Sequence, residues 1–233
     1  MKIAAIVAAA GKGKRFGSIR NKILEKIDQK PILYYSLHAL DEPDLINLIV
    51  VALNKEDIFC FKKEIIQKNK FKTPIAFVEG GTERYYSVKK ALNVIKNDFD
   101  YILIHDGARP FLTRRMIETC LKYAKKHGAA CLGSKITSTI KAVDDKGIIY
   151  KTVSRNNLFE AQTPQIFKAS VIKQAYLKTR YSKAITDDSS IIERRGCKVA
   201  LAPTSELNMK ITFPDDIRIA EDIFKKQKCR SKK

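Results

Sequence analysis

The first apolar run of this chain constrains its fold more than any other feature. Residues 3–9 contain no charged or turn-forming residue and run straight into Ala9-Ala10-Gly11-Lys12-Gly13-Lys14-Arg15-Phe16-Gly17. A run this short, apolar at every position rather than at alternate ones, reads as a strand buried on both faces, and such strands belong to parallel sheets covered by helices on either side. Further strands are expected at residues 46–53, 74–78, 101–105, 129–132 and 198–202. Helices are expected at 31–40, 56–69, 87–95, 116–127, 168–178 and 214–224, where apolar residues recur at helical spacing. Gly128 suits the left-handed conformation that closes the helix before it. The alternation implies an α/β, Rossmann-like, mostly parallel open sheet with helices on both faces. Residues 136–153 depart from it: they are polar, β-leaning and broken by Asp144-Asp145-Lys146-Gly147, a hairpin signature, and read as a projecting arm.

With 233 residues, 45% of them hydrophobic, the chain can bury one sizeable core. A single domain is expected over residues 1–224, followed by a basic tail at 225–233 expected to be disordered. The longest apolar stretches fall short of the roughly 20 residues a membrane-spanning helix needs, and no tripartite leader precedes the first strand. A soluble, cytoplasmic protein with no membrane partner is the expectation. The five cysteines are scattered without a CxxC pair, which fits reduced thiols rather than a disulfide framework or a zinc site. The net charge of +20 invites a nucleic-acid partner, but the excess is divided between the tail and lysine pairs on helix faces, so solvated surfaces are the simpler reading.

In an open α/β sheet, ligands bind beyond the carboxyl ends of the strands. The loop after the first strand combines glycines, which let backbone N–H groups approach phosphate oxygens, with cations that neutralise a polyphosphate. It is neither a Walker A loop, since Lys14 is followed by Arg15, nor a dinucleotide fingerprint, since Phe16 stands at the third glycine position. After the strand at 101–105 comes His105-Asp106-Gly107-Ala108-Arg109-Pro110, where Asp106 could place Mg²⁺ or another divalent cation against phosphates, or cap a helix. Arg15, Lys22, Arg109, Arg155 and Lys210 all lie in loops or at element ends. A convergence of cations suits phosphoryl transfer, whose transition state spreads negative charge over non-bridging oxygens.

Ala9-Ala10-Gly11-x-Gly13-x-Arg15, Lys22, Gly80-Gly81-x-x-Arg84-x-x-Ser87-Val88, His105-Asp106-Gly107-Ala108-Arg109-Pro110, Thr152-Val153-x-Arg155, Gln162-Thr163-Pro164-Gln165-x-Phe167, Thr186-Asp187-Asp188 and Asn208-x-Lys210-Ile211-Thr212 follow one another in that order. Together they resemble the 2-C-methyl-D-erythritol 4-phosphate cytidylyltransferase family of isoprenoid biosynthesis, over residues 3 to about 224. The resemblance implies CTP as co-substrate, with Ala9, Ala10, Gly11 and Gly13 around its phosphates and Arg15 and Lys22 stabilising the pentacoordinate α-phosphate. It implies that Gly81, Thr82 and Ser87 read the cytosine, that Asp106 holds Mg²⁺ and orients the acceptor, and that Lys210 binds phosphate. Arg109, Thr139, Arg155, Thr163 and Thr186 would grip methylerythritol phosphate. Arg15, Lys22, Arg155 and Lys210 form the implied catalytic set. A homodimer is also implied, the arm exchanging so that Thr139 and Arg155 serve the partner's site.

The chain departs from the family pattern in two places. Asn21-Lys22-Ile23 stands where Pro-Lys-Gln is usual, keeping the lysine without its rigid approach, and Tyr85 and Tyr86 occupy positions of smaller or amide residues, where they either tighten the base pocket or pack beneath it. The rival readings are a ribitol 5-phosphate cytidylyltransferase and, of another class, a basic nucleic-acid-binding or non-catalytic scaffold protein. Gly107-Ala108, Thr186-Asp187-Asp188 and Asn208-x-Lys210 fit the methylerythritol enzyme better than the first. The lack of aromatic-rich basic strands argues against the second.

Overall fold

The structure, a computed structural model, describes residues 1–11, 13, 16, 21–41 and 44–230, the side chains of 228 and 230 apart. β1 (Ile3–Ala8) is followed by a 3-10 turn at Lys22–Leu24, the short β2 (Lys26–Ile27) and β3 (Lys30–Pro31), α1 (Ile32–Asp41), β4 (Ile46–Leu53), α2 (Asp57–Phe61) with its π-helical continuation Lys62–Ile66, β5 (Ile75–Glu79), α3 (Arg84–Val94), β6 (Tyr101–Asp106), α4 (Arg114–His127) and β7 (Ala129–Lys135). The second half adds β8 (Ile140–Val143), β9 (Ile149–Val153), β10 (Phe159–Lys168), α5 (Ala169–Lys178), α6 (Asp188–Glu193), β11 (Ala200–Pro203) and α7 (Asp215–Arg230).

Seven strands form one sheet in the order β11-β7-β10-β6-β1-β4-β5. Every pairing is parallel except the two that β10 makes, with β6 and β7. β1 pairs along its whole length with both β4 and β6, and its side chains alternate between two cores. Ile3, Ala5 and Val7 pack with Leu33 and Leu37 of α1 and Met116 and Leu121 of α4. Ala4 and Ile6 face the other way, toward Val88 and Leu92 of α3, Ile172 of α5 and Ile192 of α6. Helices on both faces are the reason that the run at 3–9 has no polar position.

The expected mostly parallel sheet with helices on both faces is therefore present, but β10 was not among the expected strands. Its sequence is polar, and Pro164 in mid-strand argues against a central position, because proline cannot donate to a ladder. The register against β7 jumps from Ala161↔Gly133 to Gln165↔Cys131, so residues 162–164 bulge out of that ladder and the proline costs no ladder bond there. α6 also went unread, although Asp187 caps it by accepting from Ser190 N at 2.9 Å in a capping box. The last helix, expected to stop at 224, continues to Arg230, so the start of the basic tail is helical rather than disordered. Its Phe224 ring is stacked between Tyr35 and Phe111, with centroids 4.4 and 4.7 Å away.

β8 and β9 form a separate antiparallel hairpin. Its turn closes through Gly147 N donating to Asp144 O at 3.0 Å, and Val143, Ile148, Ile149 and Tyr150 are exposed on it. Gly128 ends α4 at φ 87°, as expected. The five cysteines are free thiols, and among the described residues no helix is long and apolar enough to cross a membrane.

Candidate active site

The loops beyond the carboxyl ends of β1, β4, β5 and β6 are laced together by their backbones. Ala9 N donates to Ala52 O at 3.0 Å, Gly107 N to Ala8 O at 3.0 Å and Gly80 N to Leu53 O at 2.7 Å. Two glycines allow the closest approach. A Cβ on Gly80 would stand 2.2 Å from the Ala10 Cβ, and one on Gly81 would stand 2.3 Å from the Tyr86 Cβ. The chain after β5 thus presses against the chain after β1, and the Gly81 N–H reaches the Ser87 hydroxyl at 3.0 Å. That hydroxyl donates in turn to Glu83 O at 3.2 Å, so Ser87 holds the shape of the turn from the first helical turn of α3.

Between these loops lies a cleft of about 630 Å³. Its walls include Ala9, Ala10, Gly11 and Gly13 on one side, Gly81, Thr82 and Ser87 on another, and Lys22, Asp106 and Lys210 at the charged end. The structure thus brings together ten of the residues singled out in the sequence. Arg15 lies outside the described residues. Arg109 is buried, with Nη1 donating to Asn208 O at 2.6 Å, and Thr163 is buried behind Asp106. Thr186 lines a small neighbouring hollow of about 60 Å³ on the far side of Arg84. Thr139 and Arg155 sit at the base of the arm, both exposed, with the Arg155 guanidinium donating to Thr137 O; neither lines the cleft of its own chain.

Asp106 is the electrostatic centre. It ends β6 opposite Ala8 of β1, and its Oδ1 meets Arg84 Nε at 3.0 Å while Oδ2 meets Lys210 Nζ at 2.7 Å and Arg109 Nε at 3.8 Å. Burial alone would raise its pKa, but Arg84, Lys210 and Arg109 outweigh that and hold the carboxyl well below the usual carboxylate range. Its backbone N–H donates to Thr163 Oγ1 at 3.0 Å, and Thr163 also contacts His105 Nδ1 at 3.1 Å. His105 Nε2 faces Arg109 O at 3.2 Å, a carbonyl that can only accept. The proton therefore sits on Nε2, and Thr163 donates to Nδ1. Burial lowers the His105 pKa to about 4, which leaves a neutral ring that orients Thr163 and Asp106.

The segment carrying Lys210 is pinned at several points. Asn208 Nδ2 donates to Thr163 O at 2.8 Å and to Gln162 Oε1 at 3.1 Å, and Ile211 N donates to Ala108 O at 2.8 Å. The bulge in β10 is what pushes Gln162 and Thr163 toward this segment. Lys22 Nζ donates to Ile211 O at 2.7 Å, so both lysines reach the same mouth. Asn21 compensates for the missing proline: its buried side chain donates to Ala9 O at 3.1 Å and Asp57 Oδ2 at 2.7 Å, tying the turn of Lys22 to β1 and α2. Tyr85 is buried and stacks on Tyr176 at 5.1 Å and 18°, and Tyr86 packs edge-on against it. Neither tyrosine lines the cleft: Tyr85 packs in the interior, while Tyr86 is exposed and packs against Tyr181 and the Gly81 turn.

Sequence reasoning assigned no role to Arg84, although it stood in the quoted glycine-arginine-serine motif. It lines the cleft and joins Asp106 to the fully buried Asp188, 2.7 Å from its Nη2.

Fold and cleft define a nucleotide-binding transferase of the Rossmann-like α/β class, with a glycine loop, a second glycine turn and paired lysines beyond the strand ends. Residues 3–226 match the family model described as 2-C-methyl-D-erythritol 4-phosphate cytidylyltransferase (IspD). The cytidylyltransferase of that name from Clostridium kluyveri is 42% identical over 225 residues, covering 96% of this chain and 97% of its own, and that from Bacillus cereus is 38% identical over 224 residues, covering 96% and 98%. The crystal structure of the 4-diphosphocytidyl-2C-methyl-D-erythritol synthase from Anaerococcus prevotii superposes with a TM-score of 0.82 at 27% identity, covering 96% of this chain and 98% of that one. The chain belongs to the 2-C-methyl-D-erythritol 4-phosphate cytidylyltransferase family.

Proposed function

We propose that this protein transfers the cytidylyl group of CTP to 2-C-methyl-D-erythritol 4-phosphate, giving 4-diphosphocytidyl-2-C-methyl-D-erythritol and pyrophosphate. The observation that carries the reading is one cleft in which the glycine turn at 80–81, the loop after β1 and the Asp106–Lys210 ion pair face a common space. An oxygen of the acceptor's phosphate attacks the α-phosphorus of CTP. The new P–O bond forms as the bond to the β-phosphate oxygen breaks in line, and pyrophosphate leaves. A phosphate monoester has its second pKa near ~6, so the nucleophile is already ionised and needs no general base. This agrees with the neutral, buried His105.

Lys22, Lys210 and Arg15 supply the charge that the pentacoordinate phosphorus requires, and the backbone of Ala9, Ala10, Gly11 and Gly13 holds the phosphates. Gly81, Thr82 and Ser87 set the shape of a pocket for a pyrimidine. Among the described residues there is no cluster of three or more metal-ligating side chains. The donor set nonetheless fits Mg²⁺, which commonly uses one or two protein carboxylates and takes its remaining ligands from substrate phosphates and water. Asp106 is the carboxylate that would hold it. When bound, the ion neutralises and orients the triphosphate.

The arm supports a homodimer. Its Ile148, Ile149 and Tyr150 are exposed apolar side chains that a partner would cover, and Thr139 and Arg155 do not line the cleft of their own chain, which supports their serving a partner's. The test is to incubate the protein with each nucleoside triphosphate and methylerythritol phosphate, with and without Mg²⁺, and identify products by mass. A CDP-alcohol formed from CTP alone, with metal, is expected. Transfer from ATP or GTP at a comparable rate would overturn the reading.

A further inference from the structure

We propose that Arg84 is a positioning residue for this reaction: it locks Asp106 at the acceptor end of the cleft and couples it to Asp188 and Tyr176, which touch no substrate. The proposal rests on the cytidylyl-transfer reading of the cleft.

Among the described residues three cations surround Asp106, and they are not equivalent. Lys210, 37% exposed in its side chain and 2.7 Å from Oδ2, faces the cleft and in the proposed reaction must turn to a phosphate. Arg109 is committed to Asn208 O at 2.6 Å and stands 3.8 Å from the carboxylate. Of these three, Arg84 is the one that meets Oδ1, at 3.0 Å through Nε, and the same guanidinium reaches Asp188 Oδ2 at 2.7 Å through Nη2. The second contact is an ion pair without hydrogen-bond alignment. Asp188 is fully buried, and its other oxygen accepts from the Tyr176 hydroxyl at 2.5 Å.

When Lys210 leaves Asp106, Arg84 is therefore the partner that keeps the carboxylate oriented. Its own orientation is fixed from behind by a carboxylate and a phenol rooted in α6 and α5. A planar fork can hold two carboxylates at once, whereas an ammonium cannot reproduce that geometry. Arg84 also opens α3, the helix whose Ser87 shapes the glycine turn, so one side chain joins the base-binding wall to the acceptor carboxylate.

The experiment measures kcat and both KM values for wild type, Arg84→Lys, Asp188→Asn, Tyr176→Phe and the double variant Arg84→Lys/Asp188→Asn. Directly contacting groups in one network couple strongly, so Arg84→Lys should raise the acceptor KM on the order of 10-fold and lower kcat, with the KM for CTP changed by less than about 3-fold. Asp188→Asn should shift the same two constants in the same direction, and the double variant should be little worse than Arg84→Lys alone. Tyr176→Phe, which removes one hydroxyl, should give a smaller rise of the same kind and carries the test if the other variants do not fold. Lowered melting temperatures with wild-type acceptor KM and kcat would overturn the proposal, as would fully additive effects. An inactive wild type would refute the cytidylyl-transfer reading first, and the positioning role with it; an active wild type with indifferent variants refutes only the role of Arg84.

Discussion

Gly80→Ala inserts a single methyl group where the structure has no room for one. The added Cβ would lie 2.2 Å from the Cβ of Ala10 and 3.1 Å from Ser87 Oγ. Non-bonded carbons settle at about 3.5–4.0 Å, so the two chains must part by more than about 1 Å. The Ala10 Cβ cannot swing aside, because it is fixed to its backbone, and Gly80 cannot easily retreat, because its N is held at 2.7 Å by Leu53 O. Overpacking of this kind costs about 1–3 kcal/mol in stability. The functional cost should be larger, because the displaced turn carries Gly81 and Thr82 away from the loop after β1, and a misplacement of about 1 Å can cost on the order of 10²-fold in rate. The assay is steady-state pyrophosphate release beside thermal melting. Gly80→Ala is expected to lose about 100-fold in kcat/KM, or ~2.7 kcal/mol, and Ala10→Gly in the same chain should restore most of it by vacating the space. Gly196→Ala, whose added Cβ meets nothing within 4 Å although φ is +73°, should change melting alone. Wild-type kcat/KM in Gly80→Ala, or no rescue by Ala10→Gly, would refute the close-approach reasoning.

Asn21→Ala removes the side chain that ties the Lys22 turn to Ala9 O and Asp57; a stability loss of about 1–3 kcal/mol is expected, with kcat falling more than the KM for CTP rises, both read by melting and initial rates. His105 is held neutral, its pKa lowered from 6.5 to about 4 by burial. Below pH 6.5 the unfolded chain takes up a proton that the folded chain does not, so stability present above pH 6.5 is lost as the pH falls toward about 4, by about 3 kcal/mol in all; His105→Gln should flatten that slope in denaturant titrations. If the arm is exchanged, mixing inactive Arg15→Ala and Arg155→Ala homodimers under subunit exchange should restore about a quarter of wild-type activity, because half the dimers then carry one intact site. Verified exchange without recovery would place Thr139 and Arg155 in the site of their own chain.

The strands β1 and β4 were legible because burial on both faces leaves an apolar run, unbroken in β1 and interrupted in β4 only by the exposed Asn47, and the arm because a turn signature interrupts a polar stretch. β10 was not, since its central position depends on a bulge that excuses Pro164 from the ladder, and a bulge has no local signature. The tyrosines at 85 and 86 could be read as packing or as pocket until Tyr176 and Tyr181 came beside them from distant sequence. In the site, the glycines, Lys22, Asp106 and Lys210 were legible as types suited to phosphate chemistry, and family resemblance grouped them. The hydrogen bonds that replace a proline at Asn21 and the bridge from Arg84 to Asp188 were not legible, because each joins segments whose proximity only the sheet order creates.

The most direct test of the whole account is a competition between acceptors. With CTP and Mg²⁺ supplied, 2-C-methyl-D-erythritol 4-phosphate and ribitol 5-phosphate are offered together, and the two CDP-alcohols are separated and quantified. The account predicts that the methylerythritol product dominates, with a kcat/KM ratio on the order of 10² or more, as expected where buried polar groups must find their partners. Equal use of the two acceptors, or a preference for ribitol 5-phosphate, would contradict it.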